Sequence, residues 1–94
     1  MLKLSIVSPC YNEEEVLATS AERLDALLDD LIAKGKIAAD SYVLFVNDGS
    51  RDRTWDIIRG LSSRSDRFHG LCLAHNVGHQ HAIMAGMMEA RHDA

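Results

Sequence analysis

A membrane-crossing run is the first thing missing from this chain. No stretch approaches the ~20 consecutive apolar residues that span a bilayer, and no basic segment followed by an apolar block marks a secretory signal at the amino terminus. The expectation is a soluble, cytoplasmic domain. Clustered basic charge is missing too: ten Lys and Arg residues are scattered against fourteen Asp and Glu, for a net charge of −4. That argues against a nucleic-acid footprint and against a basic membrane patch. Cysteine is scarce. Cys10 and Cys72 each fall inside or beside an expected strand, where a reduced, packed thiol is the ordinary state and a bridge between strand ends the alternative. Proline occurs once, as Pro9, and a proline cannot continue a central ladder, so it is read as a turn closing the first strand. No internal repeat, low-complexity run or linker interrupts the chain.

Several catalytic signatures are absent as well. There is no Gly-x-Gly-x-x-Gly and no glycine-rich loop ending in Gly-Lys-Ser or Gly-Lys-Thr. Ser8 and Ser50 lack the glycines of a nucleophile elbow, and nothing near Cys10 identifies a base for a thiol nucleophile. Of five histidines, His75, His79 and His81 lie close together. No acidic or cysteine ligand accompanies them at metal-site spacing, so solvated or capping histidines are expected. At 94 residues and 47% hydrophobic, the chain is one domain or less, with a thin core burying roughly 60 to 65% of the unfolded surface.

What is present is a pattern of strand ends. Val43-Leu44-Phe45-Val46 is fully apolar and stops on Asn47-Asp48-Gly49-Ser50, as a buried parallel strand does on opening into a crevice. Ile6-Val7-Ser8 runs into Pro9-Cys10-Tyr11-Asn12-Glu13, and Phe68 to Ala74 runs into His75-Asn76-Val77-Gly78-His79-Gln80. Between them, a first helix is expected from Asn12 as N-cap with Glu15 in capping-box position. Its apolar stripe is Leu17, Leu24, Leu27, Leu28, Leu31 and Ile32, and Lys34-Gly35 ends it. A second helix is expected from Asp52 to about Arg64, with Trp55, Ile58 and Leu61 on one face, and a third from Gln80 to Arg91. Gly86 inside that third helix costs roughly 1 kcal/mol against alanine, for which close approach to the sheet is the expected reason. The order β-α-β-α-β-α predicts an α/β fold with a parallel sheet and right-handed crossovers.

Asp48 stands out, because a carboxylate at the carboxyl end of a parallel strand can accept hydrogen bonds from a ribose hydroxyl or a base N–H. The plain alternative is a turn with side-chain caps. Tyr11 can stack on a base or stand as an ordinary surface tyrosine. Glu13 can bind ligand or complement a helix dipole. Residues 76–80 place a glycine at a helix start, a geometry suited to a diphosphate.

Together, Pro9-Cys10-Tyr11-Asn12-Glu13-Glu14, Val46-Asn47-Asp48-Gly49-Ser50-Arg51-Asp52-Arg53-Thr54 and Asn76-Val77-Gly78-His79-Gln80 closely resemble the N-terminal part of family 2 glycosyltransferases. The Asn-Asp-Gly-Ser and Gly-His-Gln forms look most like the polyprenyl-phosphate sugar transferases. The resemblance implies a three-layer αβα arrangement around a parallel sheet, the N-terminal half of the Rossmann-like GT-A fold. It implies that Pro9, Tyr11, Asn12, Glu13, Val46, Asp48, Asn76, Gly78 and His79 line the pocket of a UDP- or GDP-sugar. Asn47 departs from the aspartate of many relatives, which leaves nucleotide preference open. An Asp-x-Asp motif that would hold Mg²⁺ or Mn²⁺ is absent, and no catalytic residue is assigned. Residues 1–94 therefore read as the nucleotide-binding half of a glycosyltransferase domain, ending before the Asp-x-Asp strand and inactive alone. The parent would pass a sugar, with inversion, to a polyprenyl phosphate at the cytoplasmic membrane face. An exposed sheet edge would favour homo-oligomers. A cell-wall or soluble acceptor, and a non-catalytic nucleotide-binding or oligomerisation module, are the alternatives.

Overall fold

The computed structural model describes residues 2–73, 78 and 83–88. Three strands, β1 (Ser5–Cys10), β2 (Tyr42–Asp48) and β3 (Phe68–Leu73), alternate with two helices, α1 (Leu17–Ala33) and α2 (Thr54–Arg64). Both strand pairs are parallel, in the order β1-β2-β3. β2 is buried along its whole length, which is why its apolar run does not alternate with polar residues.

Strand pairing sorts the side chains into two faces. Val43 and Phe45 join Leu17, Ala21 and Leu28 of α1 and Ile58 of α2 in one core. Both helices lie on this face because successive right-handed crossovers advance the sheet in one direction. Tyr42, Leu44 and Val46 form a second core on the opposite face with Val7, Leu71 and Leu73. There the helical residues 83–88 make the third layer of the αβα arrangement. A Cβ on Gly86 would stand 2.5 Å from Val7 and 2.8 Å from Val46, so the close approach expected of this glycine is what the backbone makes.

Several expectations need correction. Asn12 does not cap α1, which begins five residues later, behind Val16 and without a side-chain cap. Glu13 starts a separate turn, its carbonyl accepting from the Val16 and Leu17 N–H groups, and Glu15 closes no capping box. The reason is competition: the Asn12 side chain accepts instead from the Arg51 N–H at 2.8 Å. The α1 stripe is also shifted. Ala21 is buried while Leu27 is 47% exposed, because Leu27 sits 100° around the helix from the Leu28 that points inward.

Other signals hold. Gly35 has φ +71°, and its N–H and that of Lys36 return to the Ile32 and Leu31 carbonyls, a Schellman ending. Pro9 lies inside β1 rather than in a turn, paired with Val46. The Leu4 carbonyl accepts from Tyr42, and alternate residues face alternate sides, so the backbone of Pro9 faces away from β2 and its missing N–H breaks no bond to β2. No helix among the described residues is long and apolar enough to cross a membrane.

Candidate functional site

The carboxyl ends of β1 and β2, the two loops that follow them, and Gly78 meet at one edge of the sheet. Pro9 and Val46 are lateral neighbours, and Asp48 follows two residues on, on the same face as Val46. Asp48 is fully buried, and its Oδ2 accepts a hydrogen bond from the Gly78 N–H at 3.1 Å. Gly78 holds φ +88°, in the region that favours glycine. Tyr11 and Glu13 are half-buried and Asn12 is exposed in the β1–α1 loop. The expected site residues Asn76 and His79 lie outside the described residues, as do His75 and His81.

Asn47 points to the helix-covered face, away from Asp48. Its Oδ1 accepts from the Ser50 N–H at 3.2 Å and its Nδ2 donates to the Cys72 sulfur at 3.4 Å. The amide thus braces the turn from both ends, and an aspartate here could not donate to the sulfur as Nδ2 does.

The two loops are tied together by side chains. Ser50 Oγ accepts from the Asn12 N–H at 3.0 Å and Thr54 Oγ1 from the Glu13 N–H at 2.8 Å. Asp52 Oδ2 accepts from the Glu14 N–H at 3.2 Å. Asp52 Oδ1 takes both the hydroxyl and the N–H of Thr54. Partial desolvation works to raise the Asp52 pKa, but these bonds from Thr54 and Glu14 outweigh it and hold the carboxyl below its usual range. Asn12 itself adopts φ +51°, which asparagine tolerates better than most residues. The sequence marked Asp52 only as a helix cap and passed over Thr54, although an Asp-x-Thr pair at a helix start is a recognisable turn signal.

Cys10 is not a nucleophile in this setting. Burial, with the charge of Glu13 adding to it, pushes its thiol from 9.0 up to about 12 despite a bond to the Ser8 carbonyl, so the reactive thiolate is disfavoured. Nor is it bridged: both cysteines are free. Cys10 and Cys72 oppose Asn47 from either side, about 9.6 Å apart at normal strand spacing and beyond the ~7 Å reach of a disulfide. A thiol reagent at pH 8 should therefore modify the exposed Cys72 at once and Cys10 only on unfolding. Because the folded pKa is the higher one, the stability Cys10 contributes is present below pH 9.0 and is lost as pH rises toward about 12. Rapid double labelling of the native chain would contradict this.

A separate open groove of about 520 Å³ lies at the other end of the sheet, lined by Lys3, Asp25, Asp29, Tyr42, Arg67 and His69 among others. Arg67 is clamped there by Asp25, at 2.8 Å, and Asp29, and their hydrogen bonds raise its pKa further. This ties the start of β3 to α1. It is remote from the edge that carries Asp48.

Comparison with known proteins decides the family. The model described as glycosyl transferase family 2 matches residues 5–94. The chain belongs to glycosyl transferase family 2. Among curated relatives, an uncharacterized glycosyltransferase of Bacillus subtilis, YkoT, is 51% identical over 94% of this chain and 26% of its own length. A second from the same organism, YkcC, is 39% identical over 99% of the chain and 27% of its own. An undecaprenyl-phosphate 4-deoxy-4-formamido-L-arabinose transferase of Shewanella sediminis is 35% identical over 96% of the chain and 26% of its own. The chain thus spans about a quarter of the length of the curated relatives it matches.

In this family 2 chain, the first two motif blocks carry the paired loops and the third carries Gly78. Among the described residues no three His, Cys, Asp or Glu side chains converge to hold a metal ion.

Proposed function

We propose that this chain forms the nucleotide-binding half of a glycosyltransferase donor site. The protein that carries it would transfer a sugar from a UDP- or GDP-sugar to a polyprenyl phosphate at the cytoplasmic membrane face. In that reaction an acceptor phosphate oxygen bonds to the anomeric carbon while the bond from that carbon to the diphosphate breaks on the opposite side. The configuration inverts and the nucleoside diphosphate leaves. A Mg²⁺ or Mn²⁺ ion, where the parent binds one, would neutralise the departing diphosphate; its Asp-x-Asp seat is not in this sequence.

The observation that carries the reading is Asp48: a fully buried carboxylate at the end of the central strand, in contact with a backbone N–H of the third motif block. Ribose hydroxyls and base N–H groups are what such an acceptor recognises. With Asp48 covered, a nucleotide reaches it by exchanging with the Gly78 N–H, one charge-assisted bond for another. Relatives named as undecaprenyl-phosphate transferases support the polyprenyl side.

Calorimetric titration of UDP and of GDP, each with and without Mn²⁺, tests the reading. One nucleotide should bind the folded chain at about micromolar to millimolar strength, with little response to Mn²⁺. Asp48→Ala should weaken it at least about tenfold, the cost of one hydrogen bond to a charged group. No heat with either nucleotide, from a chain shown to be folded by circular dichroism, would refute it.

A further inference from the structure

We infer that Asp52 and Thr54 are positioning residues for the nucleotide: they hold the Tyr11–Glu13 loop against Asp48 without touching the ligand themselves. This rests on the donor-site reading. Thr54 is fully buried, so its hydroxyl is closed to any ligand. Both of its hydrogen-bonding roles are already taken, accepting from the Glu13 N–H and donating to Asp52 Oδ1. Each Asp52 carboxylate oxygen likewise receives a backbone N–H, from Thr54 and from Glu14.

Helix capping alone does not account for this arrangement. The N-cap position of α2 is Arg53 and not the expected Asp52, and it makes no side-chain cap bond; the start of the helix uses at most the bond from the Thr54 N–H to Asp52 Oδ1. The remaining acceptors, Asp52 Oδ2 and Thr54 Oγ1, reach 38 and 41 residues up the chain to a loop that α2 does not need. That loop carries Tyr11, Asn12 and Glu13, and it has no capping box of its own to stiffen it. The support on the other side is rigid: Thr54 opens α2, which Ile58 fastens into the core. A loop pinned to the first turn of a packed helix keeps its side chains within the tolerance, about 0.5 Å, that a binding constellation requires.

Three variants of the full 94-residue chain test it. Thr54→Val keeps the shape and removes the hydroxyl, Thr54→Ser keeps the hydroxyl, and Asp52→Asn turns one acceptor into an NH₂ donor facing an N–H. The probes are UDP and GDP by calorimetry, with amide hydrogen exchange read residue by residue. Thr54→Val should weaken nucleotide binding about tenfold and speed exchange at Glu13 and Glu14, while the amides of Val43 to Val46 keep their protection. Thr54→Ser should restore both, and Asp52→Asn should behave like Thr54→Val. Wild-type affinity in Thr54→Val, with the Glu13 amide released, overturns the inference. If Thr54→Val loses protection throughout, Asp52→Asn at a half-exposed side chain decides: unchanged affinity there overturns the inference, and weakened affinity with β2 still protected supports it. A wild-type chain that binds neither nucleotide removes the donor-site reading and this inference with it. Wild-type binding that is lost in Asp48→Ala but kept in the Asp52 and Thr54 variants removes only this one.

Discussion

Gly86→Ala lowers the stability of the chain by about 1–3 kcal/mol, the cost of forcing extra atoms into a packed contact. The sign is the informative part, since the same change in an unencumbered helix interior stabilises by about 1 kcal/mol. The new methyl carbon would stand 2.5 Å from Val7 Cγ1 and 2.8 Å from Val46 Cγ2. Neither valine yields easily: both are β-branched with a stiff χ1, and Val46 is fully buried on the central strand. Gly60 in α2 supplies the contrast, because a Cβ there meets nothing closer than the flexible end of Arg64 at 3.5 Å. Gly60→Ala should therefore stabilise by about 0.5–1 kcal/mol. Urea unfolding of both variants checks the pair. Equal stabilisation by both would mean that residues 83–88 do not rest on the sheet.

The largest loss expected from a single truncation is at Phe45. Phe45→Ala should cost about 3–5 kcal/mol, the range for an aromatic removed from a core. A domain of this size has about 5–15 kcal/mol in all. Phe45 is fully buried at the middle of β2 and stacks on Phe68 with ring centroids 5.8 Å apart, so the helix-covered core loses its largest fully buried side chain and that ring contact. Leu27→Ala is the matching control. The sequence places Leu27 on the same apolar stripe as Leu28, but its 47% exposure predicts a change within about 0.5 kcal/mol. Denaturant titrations showing comparable losses at both positions would mean that the stripe, and not the observed phase of α1, describes the core.

Much of this architecture was legible in advance because it rests on local chemistry. The apolar run at Val43 to Val46 declares a strand buried on both faces. Lys34-Gly35 declares a helix end, and Gly86 inside a helix declares a close approach. Each needs only the short-range preferences of a few residues. The failures share one cause. Asn12, Glu15 and Leu27 all had sound local roles, and each was overridden by a partner far away in sequence or by the phase of packing. Asn12 had a helix to cap and took the Arg51 N–H instead. Cys10 and Cys72, by contrast, were expected as reduced thiols and both are free, with β2 lying between their strands.

By itself, then, the sequence determined the α/β class, the parallel order, the edge at which polar loops gather and the family to which the chain belongs, since these follow from periodicity, turn chemistry and motif spacing. Only the tertiary structure decided which polar atom each side chain meets: Asp48 with Gly78, Asn47 with Ser50 and Cys72, Asp52 and Thr54 with the loop of Glu13 and Glu14. The physical reason is that a buried or half-buried polar group must find a partner or carry the cost of desolvation. Among several chemically suitable partners, the choice is made by distance in space, which depends on how the strands and helices have packed.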